Sequence, residues 1–255
     1  MRAILFDLGN TLIDYLGSAN DWLEMERRGF LAVHRRLGEQ HAAPEWEPFR
    51  AAMERAIAEC WQEATRGAHS PTIRTILERA LASLDVPTDE TFLVACAGDY
   101  CAPISSEAVV FPDARPTLEA LQEAGYRLGL ISNTFWPGEH HVADLERFGL
   151  REFFDALVFS SEAGVWKPDA RIFHRAAEAL GVPPAEALFV GDRLVDDVGG
   201  AQRAGLLAVL REHDQPDNDF ARGAELGIIP DGRIRALSEL PPLVEALDRA
   251  GSRRR

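Results

Sequence analysis

Five short apolar runs, four of them closed by a polar residue, constrain this chain more than any other feature. Ala3-Ile4-Leu5-Phe6 precedes Asp7, Leu128-Gly129-Leu130-Ile131 precedes Ser132, and Ala156-Leu157-Val158-Phe159 precedes Ser160. Ala187-Leu188-Phe189-Val190 precedes Gly191-Asp192, and the fifth run is Leu206-Leu207-Ala208-Val209-Leu210. Continuous apolar runs of this length suit strands buried on both faces, as in parallel sheets. Helical stretches lie between them, at Ala114 to Ala124, Asp169 to Leu180 and Asp197 to Ala204. Strand, helix, strand at this rhythm predicts an α/β fold with a doubly wound, mostly parallel, Rossmann-like sheet.

Residues 16–102 follow a different rule, because their apolar positions keep a helical period. Trp22, Met25, Gly29, Val33 and Leu37 share one face, and Phe49, Met53, Ile57 and Trp61 a second. Ile73, Leu77, Ala80 and Leu84 make a third, and Asp89 to Cys101 a fourth. No strand-like run interrupts them, so an all-helical cap, 16–102, is expected inside a core made of 1–15 and 103–255. Ligands of open α/β sheets sit beyond the carboxyl ends of the strands. A block leaving from the end of the first strand therefore hangs over that crevice, where it can exclude water and choose the substrate.

A formal net charge of −14 argues against nucleic acid or an anionic membrane as partner. The same charge repels a phosphate ester unless a metal or a buried lysine inverts the sign locally. The one basic run, Arg253 to Arg255, reads as a frayed tail. Cys60, Cys96 and Cys101 contain no CxxC pair and read as core thiols of a reducing compartment. The first apolar run is too short for a signal peptide or membrane span, so a cytoplasmic protein is expected.

Asp7, Ser132, Lys167 and Asp192 end predicted strands or follow them closely, and so converge at one edge of the sheet. Singly, each has an ordinary explanation as a turn, a helix cap or a solvated charge. Together they carry a resemblance. FDLGNTLID, LISNT, KPD and FVGDRLVDDVGGAQRAG resemble the motifs of the haloacid dehalogenase superfamily, mostly phosphatases, over essentially the whole chain. The resemblance implies that Asp7 attacks phosphorus to make an aspartyl-phosphate. It implies Mg²⁺ held by Asp7, the Gly9 carbonyl and Asp192, with Asp197 as ligand or support. Lys167, Ser132, Asn133 and Thr11 would hold or neutralise the phosphoryl group of a small phosphorylated substrate.

One position departs from the pattern. Family phosphatases usually read DxD at the first motif, the second Asp being the general acid and base, and here that place is Gly9. His140 and His141 are candidate replacements; alternatively they open a surface helix. Asp196 reads as a solvated neighbour of Asp197. The rival functions are a metal-independent 2-haloacid dehalogenase, which also lacks the second Asp, and a weakly active member that binds a phosphorylated ligand or a protein. Gly191-Asp192 with Asp197 favours the metal-dependent phosphatase. A monomer or a homodimer fits equally.

Overall fold

The computed structural model describes residues 1–39, 43–67, 70–213 and 218–252, so Arg253 to Arg255 lie outside the described residues. The runs become strands. The order along the chain is β1 (Ala3–Phe6), β2 (Ile13–Asp14), β3 (Val109–Val110), β4 (Arg127–Ser132), β5 (Ala156–Phe159), β6 (Ala187–Gly191), β7 (Leu207–Arg211) and β8 (Gly232–Ile234). Six of them form a sheet in the order β5-β4-β1-β6-β7-β8, and every neighbouring pair is parallel. The sheet is doubly wound with β1 at its centre, as the alternation of runs and helices predicts.

Four helices fill the inserted block: α1 (Trp22–Glu39), α2 (Trp46–Thr65), α3 (Ile73–Ala82) and α4 (Glu90–Glu107). The others are α5 (Ala114–Glu123), α6 (Gly138–Arg147), α7 (Ser160–Ala163), α8 (Ala170–Ala179), α9 (Gly200–Arg203), α10 (Asn218–Glu225) and α11 (Leu240–Ser252). A π-helical turn, Leu194–Gly199, leads into α9, where the sequence predicts one continuous helix from Asp197.

Parallel strands with both faces covered must divide their side chains between two cores. In β1, Ile4 and Phe6 enter the core on the side of α5, α6 and the inserted helices, and Ala3 and Leu5 enter the core formed with α8 and α9. β6 divides likewise, Leu188 and Val190 against Ala187 and Phe189. Each large strand side chain removed from water in this way contributes about 1.5–3 kcal/mol. Their burial fixes the register, and with it the edge from which Asp7 projects.

In α1, Met25, Gly29, Val33 and Leu37 are buried, but Trp22, expected on the same face, is half exposed because the helix begins there. α4 runs through Pro103 to Glu107, beyond its last apolar anchor in the sequence pattern. The chain crosses between the inserted block and the sheet twice, and the crossings pair antiparallel as β2 with β3. All three cysteines are buried free thiols. Among the described residues no helix is long and apolar enough to cross a membrane.

Candidate active site

β1 delivers Asp7, β4 delivers Ser132, and β6 ends on Gly191 with Asp192 next. The register pairs Phe6 with Leu130 and with Val190, so these strand ends lie at one edge of the sheet. Lys167 arrives from the loop between α7 and α8, through a cis Lys167–Pro168 peptide bond. Its Nζ donates to Asp7 Oδ1 at 2.5 Å and to Asp197 Oδ1 at 2.7 Å. The lysine is 2% exposed, so it is no solvated loop charge. Burial alone would push its ammonium down; Asp197 and Asp7 outweigh burial and raise it.

Oxygen atoms of Asp7, Asp192 and Asp197 all lie within 4.8 Å of one another. Burial, then the charge of Asp197, pushes the Asp7 carboxyl up to about 6 despite Lys167 beside it. Burial, then Asp7 and Asp197, raises Asp192 well above the usual carboxylate range. Three hard oxygen donors with one ammonium leave the cluster short of positive charge, which suits a small divalent cation.

Asp197 is the most committed of the three. It is fully buried, one oxygen holding Lys167 and the other accepting the Arg193 amide at 2.9 Å. Gly191 permits this, since a Cβ there would stand 2.4 Å from Asp197 Oδ2. Asp7 Oδ2 is met by the buried Thr11 hydroxyl only at 3.5 Å, and Asp192 by His213 Nε2 at 3.8 Å. Those oxygens are the ones left for a cation or a substrate.

Three sequence expectations change here. The Asn133 side chain, expected among the phosphoryl-holding groups, is spent elsewhere. Its Oδ1 accepts the Lys167 amide at 2.7 Å and its Nδ2 donates to the Lys167 carbonyl at 2.9 Å, so it fixes the lysine's backbone. Asp196 is buried, not solvated; it pairs with Arg193 at 3.3 Å, and burial pushes its carboxyl up to about 6. His141, a candidate acid–base group or surface residue, is buried with both ring nitrogens engaged, by Tyr15 Oη at 3.1 Å and Thr134 Oγ1 at 2.7 Å. Burial, then the neighbouring His140, pushes it down to about 3. The arginines of α1 also have partners: Arg27 pairs with Glu54, Arg28 with Glu107 and Arg36 with Asp99.

The His141 shift carries a stability prediction. A folded-state value of about 3 against 6.5 means that the unfolded chain binds the extra proton first. This contribution is complete above 6.5 and is lost as pH falls towards 3, at up to about 1.4 kcal/mol per pH unit. His141→Gln cannot titrate, so its urea-unfolding free energy should fall less steeply over that window than the wild type's. Asp7 and Asp196 titrate in both proteins and cancel in the comparison. Parallel curves would show that His141 is not buried neutral.

The arrangement has relatives. Residues 1–205 match the family model of the haloacid dehalogenase-like hydrolases. The glyceraldehyde 3-phosphate phosphatase of Methanopyrus kandleri is 39% identical over 128 residues, 46% of this chain and 54% of that protein. The chain thus aligns with about half the length of this relative. The ribulose-1,5-bisphosphate 5-phosphatase of Halopiger xanaduensis is 29% identical over 248 residues, 95% of this chain and 98% of that protein. The solved HAD phosphatase of Thermococcus onnurineus superposes with a TM-score of 0.59 at 27% identity, over 96% of this chain and 98% of that one. Solved 2-haloacid dehalogenases share the fold. With its model matched over most of the chain and the carboxylates and lysine gathered at one sheet edge, this protein belongs to the haloacid dehalogenase-like hydrolase family.

Proposed function

We propose that this hydrolase is a Mg²⁺-dependent phosphatase that acts on a small phosphorylated metabolite through an aspartyl-phosphate on Asp7. The observation that carries the reading is the cluster of Asp7, Asp192 and Asp197, with Asp7 and Asp197 both holding one buried ammonium. The phosphatase names of the relatives support a small phosphorylated substrate.

Asp7 attacks phosphorus through a carboxylate oxygen, and the bond from phosphorus to the leaving oxygen breaks. Lys167 holds that carboxylate in place and offsets charge on the transferring group. Ser132, buried at the same sheet edge, and Thr11, whose hydroxyl lies 3.5 Å from Asp7 Oδ2, hydrogen-bond phosphoryl oxygens. Water then attacks the aspartyl-phosphate at phosphorus, releasing phosphate and restoring Asp7. Asn133 and Asp197 position the lysine for both steps. Asp7, Asp192 and the Gly9 carbonyl would hold the cation, with Asp197 behind them. When bound, Mg²⁺ supplies the positive charge that lets a phosphate dianion approach a carboxylate. Residues 16–102 serve as the cap that closes over the substrate.

Gly9 is the feature that favours the alternative, a metal-independent 2-haloacid dehalogenase. One plate separates the two: phosphorylated metabolites and 2-chloro acids, each with chelator and with Mg²⁺. Phosphate release that chelator abolishes and Mg²⁺ restores is the expected outcome. Full activity on a 2-chloro acid in chelator would establish the dehalogenase.

A further inference from the structure

One buried arginine beside the site takes no part in the chemistry above. Arg211 ends β7 and is buried. The register pairs Gly191 with Leu210, so Arg211 stands at the same sheet edge as Asp192. In the sheet β6 separates β7 from β1, a span of about 10 Å between the two outer strands. The Arg211 side chain crosses that span, and its Nη1 donates to the carbonyl of Asn10, in the loop after β1. Its Cζ lies 3.8 Å from the centre of the Phe111 ring. Nη1 also lies 3.5 Å from Nε2 of His213, the nitrogen that stands 3.8 Å from Asp192.

A buried guanidinium is costly unless it is paired. Arg211 is spent on a backbone carbonyl and an aromatic face, and it forms no ion pair among the described residues. Burial holds the guanidinium below its ordinary range, and the charges of Asp113, Asp192 and Asp14 oppose that only in part. An apolar side chain in the same place would avoid the cost, so the contact with Asn10 is what calls for an arginine.

The loop that it reaches carries three consecutive carbonyls with different fates. The Leu8 carbonyl accepts the amides of Thr11, Leu12 and Ile13 at 3.3, 2.8 and 3.1 Å. The Asn10 carbonyl accepts Arg211. No donor among the described residues meets the Gly9 carbonyl between them. The peptide unit that bears the Gly9 carbonyl is anchored through its other end, where the Asn10 amide donates to the Ile13 carbonyl at 2.8 Å. Asn10 is left-handed, with φ 57°, a conformation that a non-glycine residue keeps where its surroundings hold it. Arg211 supplies such a hold from two strands away.

We propose that Arg211 is a positioning residue: it fixes the Asn10 peptide, and so keeps the Gly9 carbonyl unspent and in one orientation for a divalent cation. The inference rests on the metal-dependent reading of the site.

Charge and positioning give opposite signs in the test. Arg211→Met removes a positive charge near Asp192, and charge alone would tighten the binding of a divalent cation. Positioning weakens it instead, by about tenfold, the scale on which groups that orient metal ligands act. Mn²⁺ binding to the full-length protein, read from water-proton relaxation with Mg²⁺ as competitor, gives the sign without turnover. Hydrogen exchange in the metal-free peptide spanning residues 8–13 should quicken severalfold in the same variant. Phe111→Leu removes only the ring on which the guanidinium rests, and should weaken Mn²⁺ binding in the same direction by a smaller factor. Unchanged or tighter Mn²⁺ binding in Arg211→Met would overturn the proposal, and so would unchanged exchange. Should that variant fail to fold, Phe111→Leu decides, and wild-type binding and exchange there would overturn it. A wild-type protein that binds no Mn²⁺ would refute the metal-dependent reading, and exchange in Arg211→Met would still decide whether the arginine holds the loop.

Discussion

Asp7→Asn should bring phosphate-ester turnover to background, a fall of several orders of magnitude, while the circular dichroism spectrum stays that of the wild type. Asn keeps the shape and the hydrogen bond from Lys167 Nζ but removes the attacking charge and one donor for the cation. Stability should move the other way. A carboxyl raised from 3.8 to about 6 binds its proton more tightly in the folded state. Its contribution to stability therefore falls as pH rises through that window and stays low above it. At neutral pH the ionised carboxylate is a cost to the metal-free fold that Asn does not incur. The variant without metal should therefore unfold at the same temperature as the wild type or higher, as expected where strain is concentrated at a reactive site. More than a few per cent of residual turnover would remove Asp7 as nucleophile.

The second large effect concerns the missing carboxylate. With Gly9 in the usual place of the general acid, the wild-type rate should depend steeply on the leaving group. Aryl and acyl phosphates depart without much protonation and should be cleaved about 10²–10⁴-fold faster than alkyl phosphates. Gly9→Asp should recover a large part of that difference for alkyl phosphates. The fold leaves room for it: a Cβ at residue 9 would meet only Tyr15 Cδ2, at 3.9 Å, and the left-handed residue of this loop is Asn10, with φ 57°. Rates along a leaving-group series, in wild type and variant, measure both effects. A flat wild-type dependence with chemistry rate-limiting would mean that another acid already acts. His141, held neutral with both nitrogens engaged, is a poor candidate for that role.

The sheet and the edge that bears the site were legible because strands buried on both faces cannot hide their composition. Asp7, Ser132 and Asp192 stand out as polar residues that end apolar runs. What the sequence left obscure was how the polar atoms are spent. Nothing local to Asn133 says that its amide closes on the backbone of Lys167, 34 residues away. Asp196 and Asp197 are adjacent acids in the sequence, and only the π-helical turn decides that one meets Lys167 and the other Arg193. His141 sits in a segment of surface-helix composition, and its burial follows from Trp136, Phe159 and Tyr15 closing around it. The end of α4 was hidden by Pro103, a helix breaker in isolation that tertiary packing tolerates here.

The pairing of β2 with β3 has a consequence for how such a protein can change. Ile13 faces Val110 and Asp14 faces Val109, so the outgoing and returning chains lie side by side. Residues 15–108 thus occupy the place of a hairpin turn. A tight turn joining Asp14 to Val109 would leave an ordinary β-hairpin on the rim of an intact sheet. The helical block is therefore a cassette. It can be lengthened or replaced without recutting any strand that carries Asp7, Ser132 or Asp192, so the repertoire of accepted molecules can diversify while those strands are inherited unaltered.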